Sequence, residues 1–99
     1  MTLRTTLIKE GASIYSGPLE GMDDPALHVF TGPLPSGRMY CAFWERPKPT
    51  VHVIYASGTL ALDGDTWSGD IVSVRRNKVR SWRATAQRGS NVLEFVEYK

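Results

Sequence analysis

Arg75, Arg76, Lys78, Arg80, Arg83 and Arg88 lie close together in a 99-residue chain with twelve lysines and arginines in all, and no acid occurs between Asp70 and Glu94. Guanidinium and ammonium groups at this density do one kind of chemistry: they hold oxyanions, carboxylate or phosphate, through charge-assisted hydrogen bonds. The rest of the chain has six bases against ten acids. A formal net charge of +2 thus hides a basic patch on an acidic body, which points to an acidic partner or a charge-matched surface on another molecule. Trp82 stands among these cations, and an indole there would stack on a base or anchor a protein interface. The competing structural reading is a solvated, self-packed sheet face. In that reading alkyl stems cover Trp82 and the charges guard an edge against aggregation.

Other reactive residue types do not assemble into a site. His28 and His52 are far apart in the chain with no cysteine nearby, which does not match zinc-ligand spacing, so both read as structural or incidental. Asp63, Asp65 and Asp70 around Gly64 and Gly69 resemble a calcium loop only superficially. They lack the twelve-residue layout and its terminal glutamate, and Asp-Gly reads better as a hairpin turn. Glu94 and Glu97 fall on opposite faces of a strand. No GxSxG elbow and no nucleophile paired with a base can be found, so no enzymatic activity, metal or cofactor is expected.

The elements that must carry these residues are strands. Hydrophobic residues at 41% with ten aromatics suffice for one core, and the size suits one domain over 1–99. Alternation of apolar and polar residues predicts strands over 2–9, 12–15, 27–30, 39–46, 51–57, 59–62, 71–75, 79–86 and 92–98. This favours an all-β fold, a small antiparallel barrel or sandwich of the general OB or SH3-like kind, an analogy that does not fix function. The Gly- and Pro-rich stretches 16–25 and 31–38 are expected to be irregular and not central strands. Asp23, Asp24 and Pro25 allow one short helical turn, the only helix expected.

Met39, Cys41 and Phe43 alternate with Tyr40, Ala42 and Trp44, so this strand is expected to be central and covered on both faces, with Trp44 in the core. Trp67, after a turn, reads as a lid over the core. Segments 39–46 and 51–57 should pair antiparallel across a loop stiffened by Pro47 and Pro49. Cys41, the single cysteine, reads as a buried thiol in a reducing cytoplasm. The N-terminal residues show no signal-peptide pattern, and no apolar run is long enough to cross a bilayer.

Within 70–84 the turn is placed around Arg76 and Asn77. Setting Val74 opposite Val79, with Asp70 opposite Arg83, avoids facing Arg75 with Arg80. One face then holds Val72, Val74, Val79 and Ser81 and reads as core. The other holds Ile71, Ser73, Arg75, Lys78, Arg80 and Trp82 and reads as surface.

The function expected is a non-enzymatic protein-binding module, an inhibitor or accessory factor of the kind small phage or mobile-element proteins provide. It would dock on an acidic macromolecular surface through Arg75, Arg76, Lys78, Arg80, Trp82 and Arg83. Homodimerisation, with the acidic loop at 20–24 meeting the basic hairpin of a second copy, is a variant. The alternative is a nucleic-acid-binding barrel whose hairpin contacts phosphates. Against it stand a pI near 8.9 and the absence of an RNP, KH or cold-shock signature.

Overall fold

A computed structural model describes residues 2–11, 14–20 and 27–98, with the backbone only at 46 and 47. Nine strands follow in order: β1 (Thr2–Thr6), β2 (Ile8–Lys9), β3 (Tyr15–Pro18), β4 (Leu27–Pro33), β5 (Met39–Lys48), β6 (Val51–Asp63), β7 (Thr66–Arg75), β8 (Lys78–Gln87) and β9 (Val92–Tyr98). They form one antiparallel sheet in the order β1-β9-β8-β7-β6-β5-β4-β3-β2. The fold is all-β, a small and nearly closed barrel, as the alternation predicts. Among the described residues there is no helix, hence none long and apolar enough to cross a membrane.

Closure comes from the first segment of the chain. Leu7 alone separates β1, which pairs with β9, from β2, which pairs with β3, so one bent segment joins the two ends of the sheet order. The bend is clamped at Leu7: its N–H donates to the Asn91 carbonyl at 2.6 Å, and Asn91 Nδ2 donates to the Leu7 carbonyl at 3.2 Å. Reciprocal backbone hydrogen bonds between Arg4 and Glu20, at 3.0 and 2.7 Å, extend the seam.

Several expectations need correction. Residues 16–18 and 31–33, expected to be irregular, belong to β3 and β4. Proline is tolerated because Pro18 ends β3, beyond the two positions where β2 pairs, so its missing N–H interrupts no ladder bond on that side. Segments 51–57 and 59–62 fuse through Gly58 into the single long β6. The helical turn expected at 23–25 and the strand start at 12–13 lie outside the described residues. Strands β5 and β6 pair antiparallel as expected, turning at Pro49 and Thr50. A hairpin turn joins β6 and β7 where expected, but its two central residues are Gly64 and Asp65, and Asp63 pairs with Thr66 as the last residue of β6.

The inner face of the barrel packs Phe43 against Phe95 and Trp82, with ring centroids 4.8 and 6.2 Å apart. Trp67 packs against this core as expected. Cys41 is fully buried, and desolvation pushes its thiol up to about 12, which keeps it protonated and unreactive. Trp44, expected in the core, lies half-buried on the outer face. Its ring stacks on His28 at 4.5 Å and tilts against His52 at 5.2 Å. Among the described residues no second layer covers β5 there, and its outer aromatics pack against cross-strand neighbours.

Strands β6 and β7 leave no room for a side chain at two glycines. A Cβ on Gly58 would collide with the Asp70 carbonyl oxygen, and one on Gly69 with the Thr59 carbonyl oxygen, both of them backbone atoms. Only glycine permits this tight coiling of the sheet. Gly69→Ala is therefore expected to destabilise the fold by about 1–3 kcal/mol, read as a lowered urea midpoint; an unchanged midpoint would show that the strands separate without cost.

Candidate functional site: a basic hairpin at the barrel mouth

The β7–β8 hairpin has the register expected from its sequence, with Val74 opposite Val79, Arg75 opposite Lys78 and Asp70 opposite Arg83. Its faces are interchanged. Ile71, Ser73 and Trp82, expected at the surface, are buried, whereas Val72, Val74 and Val79, expected in the core, are exposed, Val74 by 55% and Val79 by 66%. The reason is volume. The barrel interior needs a large aromatic opposite Phe43, and Trp82 fills that space better than a valine. Its Nε1 donates to Ser73 Oγ at 3.0 Å, which satisfies the buried indole N–H. Trp82 is 1% exposed and so is no partner-binding anchor or base-stacking surface.

With this phase, the inner face of the hairpin continues beyond the core as one wall of the barrel mouth. Pairing with β6 ends at Ser73, and pairing with β9 ends at Ser81. The tip from Val74 to Arg80 thus lies beyond the paired region on both sides, with residues 51–55 of β6 running alongside without pairing to it. A register shift in β6 leaves Tyr55 between Ile54 and Ala56, which pair with Trp44 and Phe43. Such a bulge re-aims a side chain, and the Tyr55 ring lies 6.0 Å from Phe43 and 5.7 Å beneath Arg75 Cζ. Tyr55, Ser73, Arg75, Arg76, Lys78 and Arg80 line a concavity of about 210 Å³ at this end.

Four of the six cations proposed as partner contacts or clustered in the sequence therefore meet: Arg75, Arg76, Lys78 and Arg80. Two are matched by acids from β5 and β9. Arg75 Nε and Nη2 donate to Glu45 Oε2 at 3.2 and 3.1 Å, and Arg80 Nε lies 3.6 Å from Glu97 Oε2. Arg76 and Lys78 are exposed and have no acidic partner among the described residues. Arg83 is on the opposite, outer face, where its Nη1 donates to Asp70 Oδ1 at 3.0 Å. That hydrogen bond, with a second from the Tyr98 hydroxyl, holds the Asp70 carboxyl below its ordinary value. Arg88 follows the far end of β8 and is not part of the mouth.

The outer face of the hairpin is apolar at its centre. Val72, Val74 and Val79 are joined there by Val96 and Tyr98 of β9, all exposed, with Arg83 beside them. A second concavity, about 630 Å³, lies on the outer face of β3 to β6 between Phe30, Tyr40, Trp44 and Ile54. Sequence reasoning missed it, although aligning His28 with Trp44 and Phe30 with Ala42 across β4 and β5 brings its walls together. Its charged lining residue among those described is Glu10, which accepts a hydrogen bond from Ser16 Oγ at 2.9 Å. Among the described residues, no three His, Cys, Asp or Glu side chains gather as a metal site would require.

No protein-family model, curated protein or solved structure matches the chain.

The hairpin turn itself is strained. Arg76 and Asn77 both have positive φ, 53° and 62°, the type I′ arrangement that closes two-residue hairpins. Asparagine suits this conformation, but an arginine does not. Arg76→Asn is expected to stabilise the fold by about 1 kcal/mol, measured as a raised urea midpoint; a fall in the midpoint would show that the Arg76 side chain contributes more than its backbone strain costs.

Proposed function

We propose that the chain is a non-enzymatic protein-binding module, an inhibitor or accessory factor, that docks on an acidic protein surface through the β7–β8 hairpin. The observation that carries this reading is the hairpin tip, unpaired with β6 and β9, which is apolar on its outer face at Val74 and Val79 and cationic at Arg76 and Lys78. An apolar centre bordered by charge is the anatomy of a protein interface. The fitting partner is an apolar patch edged by Asp and Glu, since the hairpin supplies only positive charge at its tip. A lone buried thiol suits work in a reducing cytoplasm.

The same geometry weakens the nucleic-acid alternative. Trp82 lies under the mouth and offers no stacking face, while Arg75, Arg80 and Arg83 have carboxylate neighbours that compete with phosphate. A homodimer in which residues 20–24 meet the hairpin of a second copy involves positions outside the described residues, apart from Glu20.

The test uses the purified chain to capture a partner, which is then purified and rebound in isolation. Val79→Asp and Lys78→Glu are each expected to weaken that reconstituted complex by about tenfold or more. Unchanged affinity in both variants would contradict docking through the hairpin. So would tight oligonucleotide binding that weakens steeply with salt and is lost in Lys78→Glu.

A further inference from the structure

The concavity at the mouth has a charge and a size that define its ligand more narrowly than an acidic surface does. Among the described residues its four cations face two carboxylates, Glu45 and Glu97, which leaves two positive charges in excess. A singly charged carboxylate would match half of that excess; a phosphate monoester, with close to two negative charges at neutral pH, matches it in full. At about 210 Å³ the space is smaller than the roughly 300–1,000 Å³ of pockets that enclose a whole drug-sized ligand, and it suits one functional group of a larger partner.

The walls are held in place before any ligand arrives. The Arg75 side chain is only 17% exposed, fixed between the Tyr55 ring and Glu45, and that of Arg80 is held by Glu97. Ser73, at the base, is fixed by the Trp82 indole. Guanidinium groups oriented by packing recognise phosphate oxygens with less loss of side-chain entropy than mobile lysines do. The remaining walls are Lys78 and Arg76, and Arg76 occupies a backbone conformation that asparagine or glycine would adopt without strain. Strain of this kind concentrates at functional positions, and here it places a guanidinium at the rim of the concavity.

We propose that this concavity is an oxyanion site for a phosphate monoester, the phosphorylated side chain of a protein partner. The inference rests on the docking reading for its location, but free phosphate tests it without the partner.

Inorganic phosphate, sulfate and acetate are titrated into the full-length chain while the Arg Nε–Hε signals of Arg75, Arg76 and Arg80 are followed by NMR. Phosphate and sulfate are expected to give saturable shifts at these three residues, with acetate weaker by about tenfold, a difference of about 1.4 kcal/mol. Arg76→Asn should weaken phosphate binding without loss of fold, and Glu45→Gln, which removes a counter-charge, should strengthen it. A serine-phosphorylated acidic peptide should bind more tightly than its unphosphorylated form, whereas a 5′-phosphorylated oligonucleotide should gain nothing over the unphosphorylated strand. Absence of saturation, equal binding of acetate, or an unaffected Arg76→Asn variant would overturn the proposal even if docking on an acidic protein stands. A gain confined to the oligonucleotide would overturn the assignment to a protein partner.

Discussion

The position of Trp82 inside the barrel governs the rest of the functional surface. In a strand successive side chains alternate between faces, so burying one residue fixes where every neighbour points. With Trp82 packed on Phe43 and bonded to Ser73, the phase of β7 and β8 is set together. Arg75, Lys78 and Arg80 must then face the barrel mouth, while Val72, Val74 and Val79 must face solvent. The core thereby produces both parts of the proposed interface: a cationic hollow on one side of the hairpin and an apolar surface on the other.

Charge along the chain and charge in space differ for the same reason. The basic stretch contains no acid of its own, yet the sheet brings Glu45 from β5 to Arg75 and Glu97 from β9 to Arg80, and pairs Asp70 across the hairpin with Arg83. Of these, the exposed Arg83–Asp70 pair contributes little to stability. Together the three pairs leave Arg76 and Lys78 as the hairpin cations without an acidic partner among the described residues. A ligand therefore meets a small, directed excess of charge and not a broad basic face, an arrangement better suited to selecting one oxyanion than to tracking a polyanion.

The strand content, the register of the basic hairpin and the place of the turn at Gly64 were legible because each depends on local pattern: alternation, like-charge avoidance and turn chemistry. The inward face of the hairpin was not legible. Val72, Val74 and Val79 alternate as a core strand would, and only the volume available opposite Phe43 decides in favour of Trp82. Trp44 escaped for a related reason: an apolar strand reads as covered on both faces, whereas on the outer face of β5 Trp44 packs against the rings of His28 and His52. Four of the cations that meet at the mouth were visible as a cluster, but their acidic partners and Tyr55 come from strands distant in sequence.

Hydrogen exchange of the indole N–H groups tests this account most directly. Trp82 Nε1–H is expected to exchange only through global unfolding, with the same denaturant dependence as the slowest backbone amides. Rapid exchange at Trp82 in the native protein would place the indole at the surface and the valines inside. That result would reverse the hairpin and remove the cationic mouth on which the proposed function depends.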